Sequence, residues 1–184
     1  MFSEHLEIID TFEKHLIEIV EKMKSSIRLI LNDTLNNKDI YSLFFVCEDC
    51  FGDMNIKFFG IDNSKKVFVK KDTFTEIKEP LFPKDLQEKE YELVEKYEFD
   101  EDDEENEDFG DSRFEYHNLQ REKLFNWFML CWESIKGEFN NIPQTYFTFG
   151  NYAESEMGSY TIDLFTNKKL TNNERLKLLK SLKR

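Results

Sequence analysis

The run Tyr41-Ser42-Leu43-Phe44-Phe45-Val46-Cys47 decides the fold class. It is a continuous β-branched and aromatic segment, too short for a helix, and it reads as a strand. Glu48–Asp53 then turns the chain. Met54–Ile61 and Lys66–Lys70 are the next strands, joined by Asp62-Asn63-Ser64, whose short polar side chains suit a tight turn. The three segments predict an antiparallel meander.

Working outward, residues 2–31 predict one long helix. Phe2, Leu6, Ile9, Phe12, Leu16, Ile19, Val20, Met23, Ile27 and Ile30 recur at spacings of three and four, with Glu and Lys opposite. Asn32, Asp33 and Asn36-Asn37 close it. Beyond the meander, Pro80 and Pro83 interrupt the chain. Lys84–Tyr97 predicts a helix started by Pro83, with Leu86, Leu93, Val94 and Tyr97 inward. A second long helix is expected over 118–139 on Leu119, Leu124, Phe125, Phe128, Met129, Trp132, Ile135 and Phe139. Asn140-Asn141 and Pro143 stop it. Thr145–Phe149 and Ser159–Phe165 alternate as strands. Thr171-Asn172-Asn173-Glu174 has the capping-box pattern that opens a helix.

An amphipathic helix and a sheet with one apolar face must cover each other. The expected fold is therefore α+β, a mostly antiparallel sheet packed against the helices at 2–31 and 118–139 in two layers. At 184 residues, one domain spanning 1–184 is the simplest organisation. Nineteen Phe, seven Tyr and two Trp supply an aromatic core, while 34% charged residues hold the mean hydropathy at −0.63.

Charge is distributed unevenly. From Glu98 to Asp111, ten of fourteen residues are Asp or Glu and none is basic; without those ten the net charge of −13 becomes −3. Like charges with little apolar content predict a solvated, flexible loop over 98–111. Residues 168–184 carry seven basic side chains and one acidic, so the chain is dipolar. Strong acidity opposes binding to nucleic-acid phosphates or anionic membranes and favours a basic protein partner. Within the acidic run, Asp102, Asp103, Glu104 and Glu105, flanked by Phe99 and Phe109, are the expected partner-binding residues. Carboxylates there imitate a phosphate backbone, and aromatic anchors among charges suit an interface.

Catalytic and metal chemistry finds less support. Cys47-Glu48-Asp49-Cys50 lacks a second ligand pair for zinc. It leads into a strand where a redox motif opens a helix, and its two carboxylates raise thiol pKa values. His5, His15 and His117 form no triad by spacing, and no nucleophile elbow or phosphate loop is present. The run 102–108 lacks the alternating ligands and central Gly of a calcium loop. The expectation is no catalytic residue, no metal and no cofactor. No apolar segment is long enough to span a bilayer, the N-terminus lacks signal-peptide character, and three cysteines suit a reducing cytoplasm. The wealth of Lys, Asn, Ile and Phe resembles an AT-rich bacterial coding sequence.

Gly158-Ser159-Tyr160-Thr161-Ile162-Asp163-Leu164-Phe165 resembles the Gly-x-aromatic-x-Ile-Asp-aromatic strand of the YezG-like antitoxin group among bacterial polymorphic-toxin immunity proteins. Thr171-Asn172-Asn173-Glu174-Arg175 is similar to that group's Glu-Arg helix start. No tryptophan follows Glu174-Arg175, and the acidic segment is an insertion relative to the group. The resemblance covers about the last third of the chain. It implies a cytoplasmic protein that neutralises a toxin by binding it, and it carries over no catalytic residues. The alternatives are a regulatory or scaffold domain that docks basic partners through the acidic loop, and a small enzyme working at Cys47/Cys50 or at a carboxylate site.

Overall fold

A computed structural model of the chain describes residues 3–36, 40–50, 53–62, 67–72, 81–98, 105–149 and 161–182. In order, the elements are α1 (Ser3–Glu18), α2 (Val20–Leu35), β1 (Ile40–Cys50), β2 (Asp53–Asp62), β3 (Val67–Asp72), α3 (Lys84–Glu98), α4 (Glu105–Lys136), β4 (Gln144–Phe149), β5 (Thr161–Asp163), β6 (Lys168–Lys169) and α5 (Asn172–Leu182). The fold is α+β. Its six strands form one sheet in the order β3-β2-β1-β4-β5-β6. The sheet is mixed but mostly antiparallel, since only β1 and β4 run parallel, with Phe45 opposite Phe147.

β1 reads as continuously apolar because both its faces are covered. Leu43, Phe45 and Cys47 enter the main core with residues of α1–α4. Phe45 sits at its centre, with ring centroids 5.5 Å from Phe58, 5.0 Å from Phe128 and 6.1 Å from Trp132. Phe44 and Val46 join Ile61 in a second cluster on the opposite face, where Phe59, Tyr146 and Leu178 of α5 pack against it. Tyr146 stacks on Phe44 at 5.0 Å. The expected two-layer arrangement therefore accounts for one face of the sheet, while α5 reaches the other.

Several boundaries differ from the sequence expectation. The helix expected over 2–31 is two helices that meet at Ile19, where φ is −97° and ψ is 6°. Helical bonds still cross the junction, from Ile19 N–H to the His15 carbonyl at 3.2 Å and from Met23 N–H to the Ile19 carbonyl at 3.0 Å. Glu48, Asp49 and Cys50 do not turn the chain. They continue β1 and pair with Asn55, Met54 and Asp53. Of the strand expected over 159–165, Ser159 and Tyr160 lie outside the described residues, and Thr161–Asp163 form β5, which ends there because the Asp163 carboxylate accepts the N–H groups of Phe165 at 2.8 Å and Thr166 at 3.3 Å and closes a turn. Asn167 continues that turn at φ 52°.

The largest correction concerns the acidic run. Its first residue, Glu98, ends α3, and Glu105–Asp111 form the first two turns of α4. Helix thus replaces the expected loop at both ends, and residues 99–104 lie outside the described residues. Carboxylates in the first turns of a helix complement the partial positive charge of its unpaired N–H groups, which offsets their mutual repulsion. At the other end, α4 gives way to Gly137 and Glu138, and Asn141 turns the chain at φ 60° before Pro143. The expected capping box of α5 forms as read: Thr171 N–H donates to Glu174 Oε2 at 2.8 Å, and Glu174 N–H donates to Thr171 Oγ1 at 3.3 Å.

Candidate partner-binding surface

Four contacts align the α1–α2 pair with α4. His5 meets Ser112, Glu13 meets Lys123, the Val20 carbonyl lies near the Cys131 thiol, and Arg28 meets Glu138, at sequence separations of 107, 110, 111 and 110. The numbers rise together, so the helices run parallel and their N-termini share one end of the molecule. α3 arrives at that end with its last turns, where Lys96 Nζ lies 3.5 Å from Glu4 Oε1. Two helix N-termini, with partial positive charge, therefore meet the partially negative C-terminus of α3 at the end of the molecule where the acidic run lies.

Of the expected partner-binding residues, Phe99, Asp102, Asp103 and Glu104 lie outside the described residues. Glu105 and Phe109 are placed by their backbone in the first turns of α4, and their side chains lie outside the described part. One turn further on is Phe114, 68% exposed. A large aromatic ring in water is the kind of anchor an interface uses. Tyr91 on α3 is 61% exposed. Sequence reasoning missed Phe114 because it started the helix at Asn118. Its signal is that it falls outside the buried Ser112, Tyr116, Gln120 spacing.

The same end encloses a polar cluster that spacing along the chain does not group. His5 Nδ1 lies 3.0 Å from Ser112 Oγ, and the His5 ring stacks on Tyr116 at 4.7 Å. Gln120 Nε2 is 3.5 Å from the Tyr116 hydroxyl, and His117 Nε2 is 3.7 Å from Glu90 Oε1 on α3. Burial holds the His5 imidazole below its ordinary pKa, and the neighbouring charges of His117 and Arg113 act in the same direction. A serine beside an imidazole has the composition of a nucleophile and its base. Here His5 is 1% exposed and Ser112 4%, which suits a buried hydrogen-bonded tie between helices better than a site that admits substrate.

Cys47 and Cys131 are buried. Desolvation pushes the Cys131 thiol up to about 12, which suppresses its nucleophilic form. Cys47 lies within a paired strand and not at a helix start. Among the described residues, no group of three or more His, Cys, Asp or Glu is placed to hold a metal ion, and no helix is long and apolar enough to cross a membrane. Trp127, like Trp132, is buried. Comparison with protein-family models, with curated proteins and with solved structures finds no match to this chain.

Proposed function

We propose that the protein is an immunity-type binder, resident in the cytoplasm, that neutralises a bacterial toxin bearing a basic surface such as a nuclease cleft. The observation that carries this reading is the joint placement of acid and apolar surface: the helical part of the acidic run leads directly into exposed Phe114. Charge would speed encounter and fix orientation, and the aromatic ring would hold the formed complex. The similarity of Gly158–Phe165 and Thr171–Arg175 to the YezG-like group supports the same reading. No chemical step is required of the protein, because occluding the toxin's basic site suffices.

The test is co-expression. The product of the gene adjacent to this one is induced in a bacterial host with and without this chain. Growth arrest by the neighbour alone, relieved by co-expression and accompanied by a stable complex, is the expected result. A neighbour that is harmless, or whose toxicity this chain leaves unchanged, contradicts the proposal. Binding to a non-toxic basic protein through the same surface would instead identify a scaffold or regulatory domain.

A further inference from the structure

The buried residues of α4 change character along its length. From 112 to 120 they are Ser112, Tyr116 and Gln120; from 124 to 135 they are Leu124, Trp127, Phe128, Cys131, Trp132 and Ile135. Segments held by polar contacts open more easily than segments held by apolar burial. The N-terminal half of α4 is anchored in the main core by Tyr116, with Leu119 packed against it, but it adds polar ties to α1 and α3, and His5 is central among them. It hydrogen-bonds Ser112, stacks on Tyr116 and is buried at the start of α1.

The charges around His5 are mixed. On its own helix Glu4 favours a protonated imidazole, and the amino terminus opposes it. From α4, Arg113 and His117 oppose it. From α3, Glu90 lies against His117 at 3.7 Å and Lys96 against Glu4 at 3.5 Å; on α4 the acidic turns that hold Glu105, Glu107, Asp108 and Asp111 precede Ser112 and favour a protonated ring. The positive end of α1 also disfavours a cation at this position. A protonated ring could still donate to Ser112 Oγ, so the cost of protonation lies in burying a full charge and not in losing that bond.

We infer that His5 is a proton-operated latch: neutral, it holds the first turns of α1 against Ser112 and Tyr116, and protonated, it frees these turns and residues 105–120 of α4 while the apolar remainder stays closed. The direction follows from linkage. A histidine whose native pKa is depressed takes up its proton first in the open state, so the closed state loses stability as pH falls below the ordinary value of 6.5. The freed segment contains the helical part of the acidic run and Phe114. The latch itself does not depend on the identity of any partner.

Amide hydrogen exchange at pH about 7.5 and about 5.5, corrected for intrinsic chemistry, tests this. One proton linked to opening predicts that protection of residues 3–9 and 112–120 falls by up to about tenfold per pH unit from the ordinary histidine value of 6.5 down to the native His5 midpoint, and levels off below it. Protection of residues 124–136 should hold. In His5→Phe, which keeps a ring on Tyr116 but takes up no proton, protection of the same segments should no longer depend on pH. An imidazole NMR titration of the wild-type protein decides the matter even if that variant folds poorly, since native His5 must titrate below 6.5 and the loss of protection must level off at its midpoint. Uniform loss along α4, no loss down to pH about 5, or an undiminished pH response in His5→Phe would each overturn the latch.

Discussion

His5 and Ser112 stand 107 residues apart and meet at 3.0 Å in the interior. Their contact ties α4 to α1 one residue after the acidic run ends. It also sets the parallel alignment that continues through Glu13–Lys123 to Arg28–Glu138. Substituting Ser112 by Ala removes this buried bond and should destabilise the protein by about 1–3 kcal/mol, since a buried polar partner is left poorly satisfied. Urea denaturation measures the change. A Ser112→Ala protein as stable as wild type would show that the tie contributes little.

Phe45 occupies the centre of the aromatic core, touching Phe58, Phe128 and Trp132. Phe45→Ala should cost about 3–5 kcal/mol, through lost burial and the cavity left in a rigid surround. Thermal and chemical unfolding would both report it. A loss below about 1 kcal/mol would mean that this part of the core readily collapses around the vacancy.

The helical carboxylates should have a role in folding as well as in binding. Replacing Glu105, Glu107 and Asp108 by Gln or Asn removes charges that complement the start of α4, at about 0.3–1 kcal/mol each. Neutralising Asp102 and Asp103, which precede the helix, should leave stability nearly unchanged. Equal effects of the two sets on the unfolding midpoint would argue against this division.

Cys131 should be inert in the folded protein. Its thiol is raised from 9.0 to about 12, mainly by desolvation, so alkylation at pH about 8 should label it only after unfolding. The unfolded thiol ionises first, so the protein should lose stability as pH rises above about 9. Peptide mapping after a brief alkylation gives the answer. Rapid labelling of native Cys131 would contradict its burial.

The β meander was legible because Tyr41–Cys47 is continuously apolar and its neighbours are bounded by turn residues. The Thr171–Glu174 cap was legible because it depends on four adjacent residues. The extent of α4 was not, because 105–111 has no apolar period. The break at Ile19 was hidden by an apolar spacing that runs on undisturbed from Leu16 to Met23. The His5 cluster left a partial trace. Position 5 shares the spacing of Ile8, Ile9 and Phe12, and Ser112, Tyr116 and Gln120 repeat every four residues, but which helix meets which is a property of the tertiary fold. Phe114 gained meaning only once the helix around it was known.

The most direct measurement of the central claim is the association rate with the product of the neighbouring gene, the proposed toxin, at salt concentrations of about 0.05 M and about 0.5 M. Exposed charges steer encounter and are screened within about 10 Å at 0.1 M salt. Neutralising Asp102, Asp103, Glu104 and Glu105 should slow association at low salt and flatten its salt dependence. Phe114→Ala should instead speed dissociation. A charge-neutralised protein that associates at the wild-type rate at low salt would contradict the account and reduce the acidic run to a helix-stabilising and solubilising segment.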